Sequence, residues 1–109
     1  MSKRVFKLYL NDILDSILKI EKYTESLDFE DFKKDTKTID AVIRNLEIIG
    51  EAANKTPQNF RKENPGVPWR NMIEMRNKVI HEYFGVDIEI LWQTIKEDIP
   101  YLKTIIKSI

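Results

Sequence analysis

Apolar residues recur along most of the chain at steps of three and four positions, which is the spacing of one face of an α-helix. The first such stretch predicts a helix from about Lys3 to about Glu25, and the next long one predicts a helix from about Thr36 to about Asn54. Their predicted buried faces are Phe6, Leu10, Ile13, Ile17 and Ile20 in the first helix, and Ile39, Val42, Ile43, Leu46, Ile49 and Ala53 in the second.

Short elements fill the sequence around the second long helix. Ser26 is a capping residue type and predicts a short helical turn through Phe29 and Phe32. A further short helix is predicted from Gln58 to Glu63. Gly50 lies inside the second long helix, where glycine costs about 1 kcal/mol relative to alanine, so we expect another helix to approach closely there.

Two more helices are predicted after the turn at residues 64–68. A central helix should run from Pro68 to Phe84, with Gly85 as its C-terminal cap. Asp87 should cap the last helix, which Pro100 should kink or divide. With neither repeats nor linkers, the pattern predicts one domain over residues 1–109, an all-α antiparallel up-and-down bundle of four to five helices.

Composition narrows the classes of function. Eighteen basic and eighteen acidic residues cancel, so bulk attraction to long nucleic acid is not indicated, although a local basic cluster remains possible. The absence of cysteine removes disulfides, thiol catalysis and thiolate metal sites. No apolar run approaches the roughly 18 residues of a membrane span, and the first residues lack a secretion signal. We therefore expect a soluble, cytoplasmic protein without a membrane partner.

The candidate chemistry lies in the central helix, where polar residues interrupt an apolar sequence. His81 is the only histidine of the chain, with Arg76 five residues before it and Tyr83 two residues after it. A lone histidine in a helix is more often structural than catalytic. A histidine, an arginine and a phenol together nevertheless suit chemistry at a phosphate, because histidine can deprotonate a ribose 2′-hydroxyl and arginine can bind charge on phosphate oxygens.

Helical geometry separates these three side chains. Arg76 and His81 would lie about 140° apart around an ideal helix and about 7.5 Å apart along it, whereas Arg76 and Tyr83 would share a face. A cleft lined by two copies of this helix across a two-fold axis could bring them together. The spacing therefore predicts a homodimer with this helix at or near the interface.

A second polar group lies on one stripe of the second long helix. Arg44, Glu47, Glu51 and Asn54 are spaced three, four and three residues apart, and the simplest interpretation is a solvated, self-paired face. Glu47 and Glu51 could hold a hard cation, but the chain has no metal-binding motif and no glycine-rich phosphate loop. We therefore expect neither a metal nor another cofactor.

The motif helix resembles that of HEPN-domain proteins. Arg76-Asn77 with His81 and Tyr83 is similar to their RN-x-x-x-H-x-Y motif, and the nearer likeness is to HepT-like toxins of toxin–antitoxin pairs. The stretch 44–53 resembles the second-helix signature of that family, and Pro68-Trp69-Arg70 resembles the segment that leads into its motif. The likeness extends from about Ile39 to Leu102.

This resemblance implies a metal-independent endoribonuclease that acts on RNA as a homodimer. Arg76 and His81 match the catalytic pair, and Tyr83 matches the motif tyrosine. The resemblance further implies a nucleotidyltransferase antitoxin as partner, which in some family members adds AMP to the motif tyrosine. Asn77, Arg44, Glu47 and Glu51 are candidate supporting residues.

Two other interpretations remain open. The chain could be a non-catalytic subunit that binds substrate or nucleotide for a separate nucleotidyltransferase. Arg76 would then hold the phosphate, and His81 would only form a hydrogen bond to it. Alternatively, it could be a helical dimerisation module whose motif is a satisfied polar cluster. Tyr83 likewise could either pack in the core or stand at the mouth of a cleft.

Overall fold

Long helices form the body of the protein, whose computed structural model describes residues 2–81 and 85–109. α3 packs against both α1 and α5, and α1 also packs against α7. The predicted all-α bundle is thereby confirmed. Its helices are α1 (Lys3–Thr24), α2 (Phe29–Lys34), α3 (Thr36–Lys55), α4 (Gln58–Glu63), α5 (Trp69–Val79), α6 (Ile88–Gln93) and α7 (Ile99–Lys107).

The core is formed by the apolar stripes that the sequence pattern marks. Every residue predicted for the buried face of α3 is buried, and so are Phe6, Ile13, Ile17 and Ile20 of α1. Met72, Met75 and Val79 bury the inner face of α5 against them. Among the described residues, no helix has both the length and the apolar character that crossing a bilayer requires.

Aspartates cap the N-termini of α2 and α3. The Asp28 side chain accepts a hydrogen bond from the backbone N–H of Asp31 at 2.8 Å, so Asp28 caps α2 and the prediction of Ser26 is wrong. A carboxylate also interacts favourably with the positive end of a helix, which a serine hydroxyl does not match. Asp35 caps α3, and its hydrogen bonds from the Thr38 side chain and backbone hold the pKa of its carboxyl below the ordinary value.

Gly50 lies where the backbone of α5 approaches α3 closely. A Cβ atom at this position would lie 3.2 Å from the Met72 carbonyl oxygen and 3.3 Å from that of Ile73. Such distances are tighter than ordinary van der Waals contact with backbone that cannot easily move. The predicted close approach is confirmed, and it brings the backbone one turn before Arg76 against α3.

The central helix ends earlier than predicted. α5 stops at Val79, and Ile80–His81 form a short strand, β1, that pairs antiparallel with β2 (Gly85–Val86). The Val79 carbonyl accepts a hydrogen bond from the Asp87 backbone N–H at 2.7 Å. In a continuing helix it would accept one from the N–H four residues further along the chain. The β-branched pair Val79-Ile80 weakens helix propensity at this point.

Gly85 consequently has a different role from the predicted helix cap. Its φ of 76° lies in the left-handed region that glycine adopts without strain, and it stands opposite His81 in the strand pair. The predicted end of the helix at Phe84 lies outside the described residues.

Pro100 affects the last helical run as expected. A π-helical segment, Thr94–Asp98, joins α6 to α7, and Pro100 stands in the first turn of α7. The Ile99 N–H bonds to the Thr94 carbonyl, five residues back. A proline ring clashes with the carbonyl four residues before it and cannot donate to it, so a wider turn ahead of Pro100 relieves both problems.

Candidate active site

Arg76 is held against α3 by an acidic residue of the predicted polar stripe. Its Nε donates a hydrogen bond to Glu47 Oε1 at 3.0 Å. The other oxygen of Glu47 accepts from Arg44 Nη1 at 3.4 Å, and Arg44 also lies 4.0 Å from Glu51 Oε1. The stripe is therefore self-paired, as predicted, and in addition it fixes the motif arginine.

Glu47, Glu51 and Arg76 line a cleft of about 360 Å³ between α3 and α5. Four predicted site residues, Glu47, Glu51, Arg76 and Asn77, meet there, and Arg44 joins them through its ion pairs. Gly50 also lines the cleft and has no side chain that would fill it. Its full lining is Leu46, Glu47, Gly50, Glu51, Asn54, Ile73, Arg76 and Asn77.

The arginine in this cleft is arranged to receive an anion. Glu47 uses only Nε of the guanidinium, and the terminal nitrogens of Arg76 make no hydrogen bond within residues 2–81 and 85–109. The Arg76 side chain is 44% exposed, so these donors are accessible. A guanidinium with a planar pair of outward N–H groups binds two oxygens of a phosphate at once.

His81 does not line this cleft, because the backbone leaves the helical path before it. Its side chain is 48% exposed, and Nε2 lies 3.6 Å from Asp87 Oδ2. This separation is too long for a formed hydrogen bond, but it is within ion-pair distance when the imidazole is protonated. The angular estimate based on an ideal helix therefore does not apply to His81.

Asp87 is a neighbour of His81 that the sequence pattern does not reveal. The sequence predicts only a capping role for Asp87, and its Oδ1 does accept the Ile90 backbone N–H at 3.1 Å. Its contact with His81 arises from the pairing of β1 with β2, which no helical pattern predicts. The β-branched Val79-Ile80 pair followed by Gly85 is the signal that could have indicated it.

Tyr83, the third motif residue, lies outside the described residues. Residues 2–81 and 85–109 contain no group of three or more histidine, cysteine, aspartate or glutamate side chains that could hold a metal ion.

A second groove, of about 710 Å³, lies between α5 and α7 and shares Asn77 with the first cleft. Lys78 and Asp98 form an ion pair at 3.4 Å beside it.

Comparisons with known proteins place the chain in a family. The model of the family described as "Ribonuclease HepT-like" matches residues 13–109. A protein of Thermococcus cleftensis named "Probable ribonuclease HepT" is 55% identical over 101 residues, which are 93% of this chain and 92% of that protein.

More distant relatives carry similar names. "Putative RNase MJ1380" of Methanocaldococcus jannaschii is 45% identical over 103 residues, 94% of each chain. "Putative RNase TTE0752" of Caldanaerobacter subterraneus is 44% identical over 101 residues, 93% of this chain and 90% of that protein. No solved structure is a significant match. The chain belongs to the ribonuclease HepT-like family.

Proposed function

We propose that this chain is a metal-independent endoribonuclease whose catalytic pair is Arg76 and His81. The observation that carries the proposal is the arginine fixed through Nε by Glu47 at 3.0 Å, whose terminal nitrogens make no hydrogen bond within the described part of the chain. Membership of a ribonuclease family supports RNA as the substrate. Because the total charge is neutral, bulk attraction to RNA contributes little, and we assign the phosphate contact at the reacting position to Arg76.

The reaction is an internal transphosphorylation. His81 removes the proton of a ribose 2′-hydroxyl, the 2′-oxygen forms a bond to phosphorus, and the bond from phosphorus to the 5′-oxygen breaks. The leaving 5′-oxygen takes a proton from water, and the other product ends in a 2′,3′-cyclic phosphate. Arg76 binds the non-bridging oxygens, where negative charge gathers in the transition state, and thereby supplies the charge that other nucleases take from a metal ion.

A homodimer would complete this site. Arg76 and His81 are both roughly half exposed in the single chain, whereas fixed donors stabilise a transition state best where water is excluded. A second copy packed along α5 would cover both side chains and line the cleft from the opposite side. This interpretation is supported by the family resemblance and by the grooves on both sides of α5.

We expect sedimentation to find a dimer at micromolar concentration. Asn77→Arg would place a bulky charge on the helix between the two grooves, and it should shift the protein toward monomer and lower RNA cleavage in parallel. Asn59→Arg is the charge-matched comparison, because it makes the same substitution at an exposed position of α4 that lines neither groove. A wild-type monomer that cleaves RNA at the full rate would contradict the composite site.

We further propose that the chain is the toxin of a toxin–antitoxin pair and that a nucleotidyltransferase antitoxin neutralises it. AMP attached to the Tyr83 hydroxyl would add a phosphate anion near the motif, where it would compete with RNA phosphate for the donors of Arg76. In the attachment, the tyrosine oxygen displaces pyrophosphate from ATP at the α-phosphorus.

Co-expression with the nucleotidyltransferase should therefore yield Tyr83 carrying AMP and a chain that no longer cleaves RNA. Mass spectrometry of the intact chain and its peptides measures this directly, with Tyr83→Phe as the variant that should escape both modification and silencing. An unmodified Tyr83 in a silenced complex would show inhibition by binding instead.

The proposed activity is tested by incubating the purified chain with RNA in EDTA. Cleavage should persist in EDTA and should be lost in the Arg76→Ala, His81→Ala double variant. RNA that is bound but not cut would favour the non-catalytic binding subunit. Cleavage that requires added Mg²⁺ would contradict the metal-independent mechanism.

A further inference from the structure

Asp87 has two carboxylate oxygens with different surroundings. Oδ1 accepts the backbone N–H of Ile90 at 3.1 Å and caps α6. Oδ2 lies 3.6 Å from Nε2 of His81. The cap fixes the position of the carboxylate, because its first oxygen is anchored to the helix backbone and only the second oxygen faces the imidazole.

The backbone on both sides of this contact is also fixed. The Asp87 N–H donates to the Val79 carbonyl at 2.7 Å, and His81 stands opposite Gly85 in the strand pair. Asp87 and His81 are thus tied by the same small hairpin, six residues apart in sequence. Asp87 itself is partly buried, with a side chain 33% exposed, which strengthens its effect on a nearby charge.

We infer that Asp87 is the positioning residue for His81, and that it selects which imidazole nitrogen acts as the base. This inference rests on the proposed function. A carboxylate only accepts hydrogen bonds, so it favours the tautomer that carries the proton on Nε2. The lone pair then lies on Nδ1, which faces away from Asp87 and takes the proton of the 2′-hydroxyl. Asp87 stabilises the imidazolium that results, as the contact shortens when the ring becomes charged.

Asp87→Asn tests this inference directly. It keeps the cap of α6 but reverses which nitrogen of the His81 imidazole carries the proton. Asparagine has one acceptor oxygen, and the Ile90 N–H requires it, so the amide NH₂ must face His81. A neutral imidazole then offers the Nε2 lone pair to the amide and carries its proton on Nδ1. The nitrogen that should act as base is thereby blocked.

We expect Asp87→Asn to lower kcat for RNA cleavage by about 10²–10⁴-fold, close to the loss expected for removing the base, because the tautomer that it favours leaves no lone pair on Nδ1. KM should change little, because Asp87 does not touch the phosphate. In a His81→Ala background the same substitution should have no further effect. Asp87→Ser, whose hydroxyl caps the helix but leaves no oxygen for the imidazole, should also lower kcat.

Nitrogen-15 NMR gives a readout that a merely structural role would not change. His81 is the only histidine, so its ring nitrogens give one unambiguous set of signals. The wild-type chain should carry the neutral-ring proton on Nε2, and Asp87→Asn should move it to Nδ1. Asp28→Asn is the matched control, because Asp28 caps α2 in the same way at 2.8 Å and should leave both kcat and the tautomer unchanged.

The outcomes separate this inference from the proposed function. If the wild-type chain cleaves RNA but Asp87→Asn leaves kcat and the tautomer unchanged, Asp87 only caps α6 and the inference is overturned. An equal loss of rate in Asp28→Asn would also overturn it, because the effect would come from capping. If the wild-type chain cuts no RNA, the proposed function fails, while the NMR measurement still decides whether Asp87 sets the tautomer.

Discussion

Replacing His81 by alanine is expected to lower the rate of RNA cleavage by about 10²–10⁴-fold, the contribution of one positioned proton transfer. The loss should appear in kcat, because the imidazole acts on the 2′-hydroxyl and contributes little to holding RNA. Single-turnover cleavage of a labelled RNA by the purified variant measures the effect.

Stability serves as the control for this substitution. The His81 side chain is about half exposed and lies in a two-residue strand outside the hydrophobic core, so its removal should shift the melting temperature only slightly. A folded His81→Ala variant with wild-type activity would remove His81 from the mechanism. Cleavage would then require a different base.

Arg76→Ala should be nearly as damaging, with a loss of about 10²–10³-fold, as found when one donor to a developing negative charge is removed. The variant loses the planar pair of N–H groups that grips the phosphate, so weaker RNA binding should accompany the lower kcat. Arg76→Lys keeps the positive charge but loses both the paired guanidinium N–H groups and the Nε hydrogen bond to Glu47. This variant should therefore retain only part of the activity. Cleavage rate and RNA affinity are measured together.

Lys78→Ala is the matched control for Arg76. Lys78 lies on the same helix, carries the same charge, is 58% exposed and pairs with a carboxylate, Asp98, at 3.4 Å. Each of these partly exposed ion pairs is worth at most about 1 kcal/mol, so both variants should fold. Equal losses of activity in the two variants would mean that general positive charge, and not a specific phosphate contact, explains the effect of Arg76.

The bundle and the self-paired stripe of α3 could be predicted because they depend on local pattern. Apolar residues at steps of three and four positions located α1 and α3 to within one residue at every end, and Gly50 indicated the close approach of another helix, which is α5. The stripe of α3 was recognised as self-paired, but its bond to Arg76 joins residues 29 positions apart. No spacing rule within one helix reports such a contact.

The histidine half could not be predicted in the same way. Helical periodicity extended α5 through His81, whereas the Val79 carbonyl is bonded by the N–H of Asp87 and the chain turns into a strand. Propensity is a weak preference that one such tertiary hydrogen bond outweighs. The position of His81, and therefore its contact with Asp87, follows from that pairing and not from the helix.

The most direct measurement of the central claim uses RNA in which the cleavage position carries a single 2′-deoxyribose. The unmodified RNA should yield a 2′,3′-cyclic phosphate end. The substituted RNA should be bound but not cut at that position, because the attacking hydroxyl is missing. Equal cleavage of the two RNAs, or products without a cyclic phosphate, would contradict transphosphorylation by Arg76 and His81.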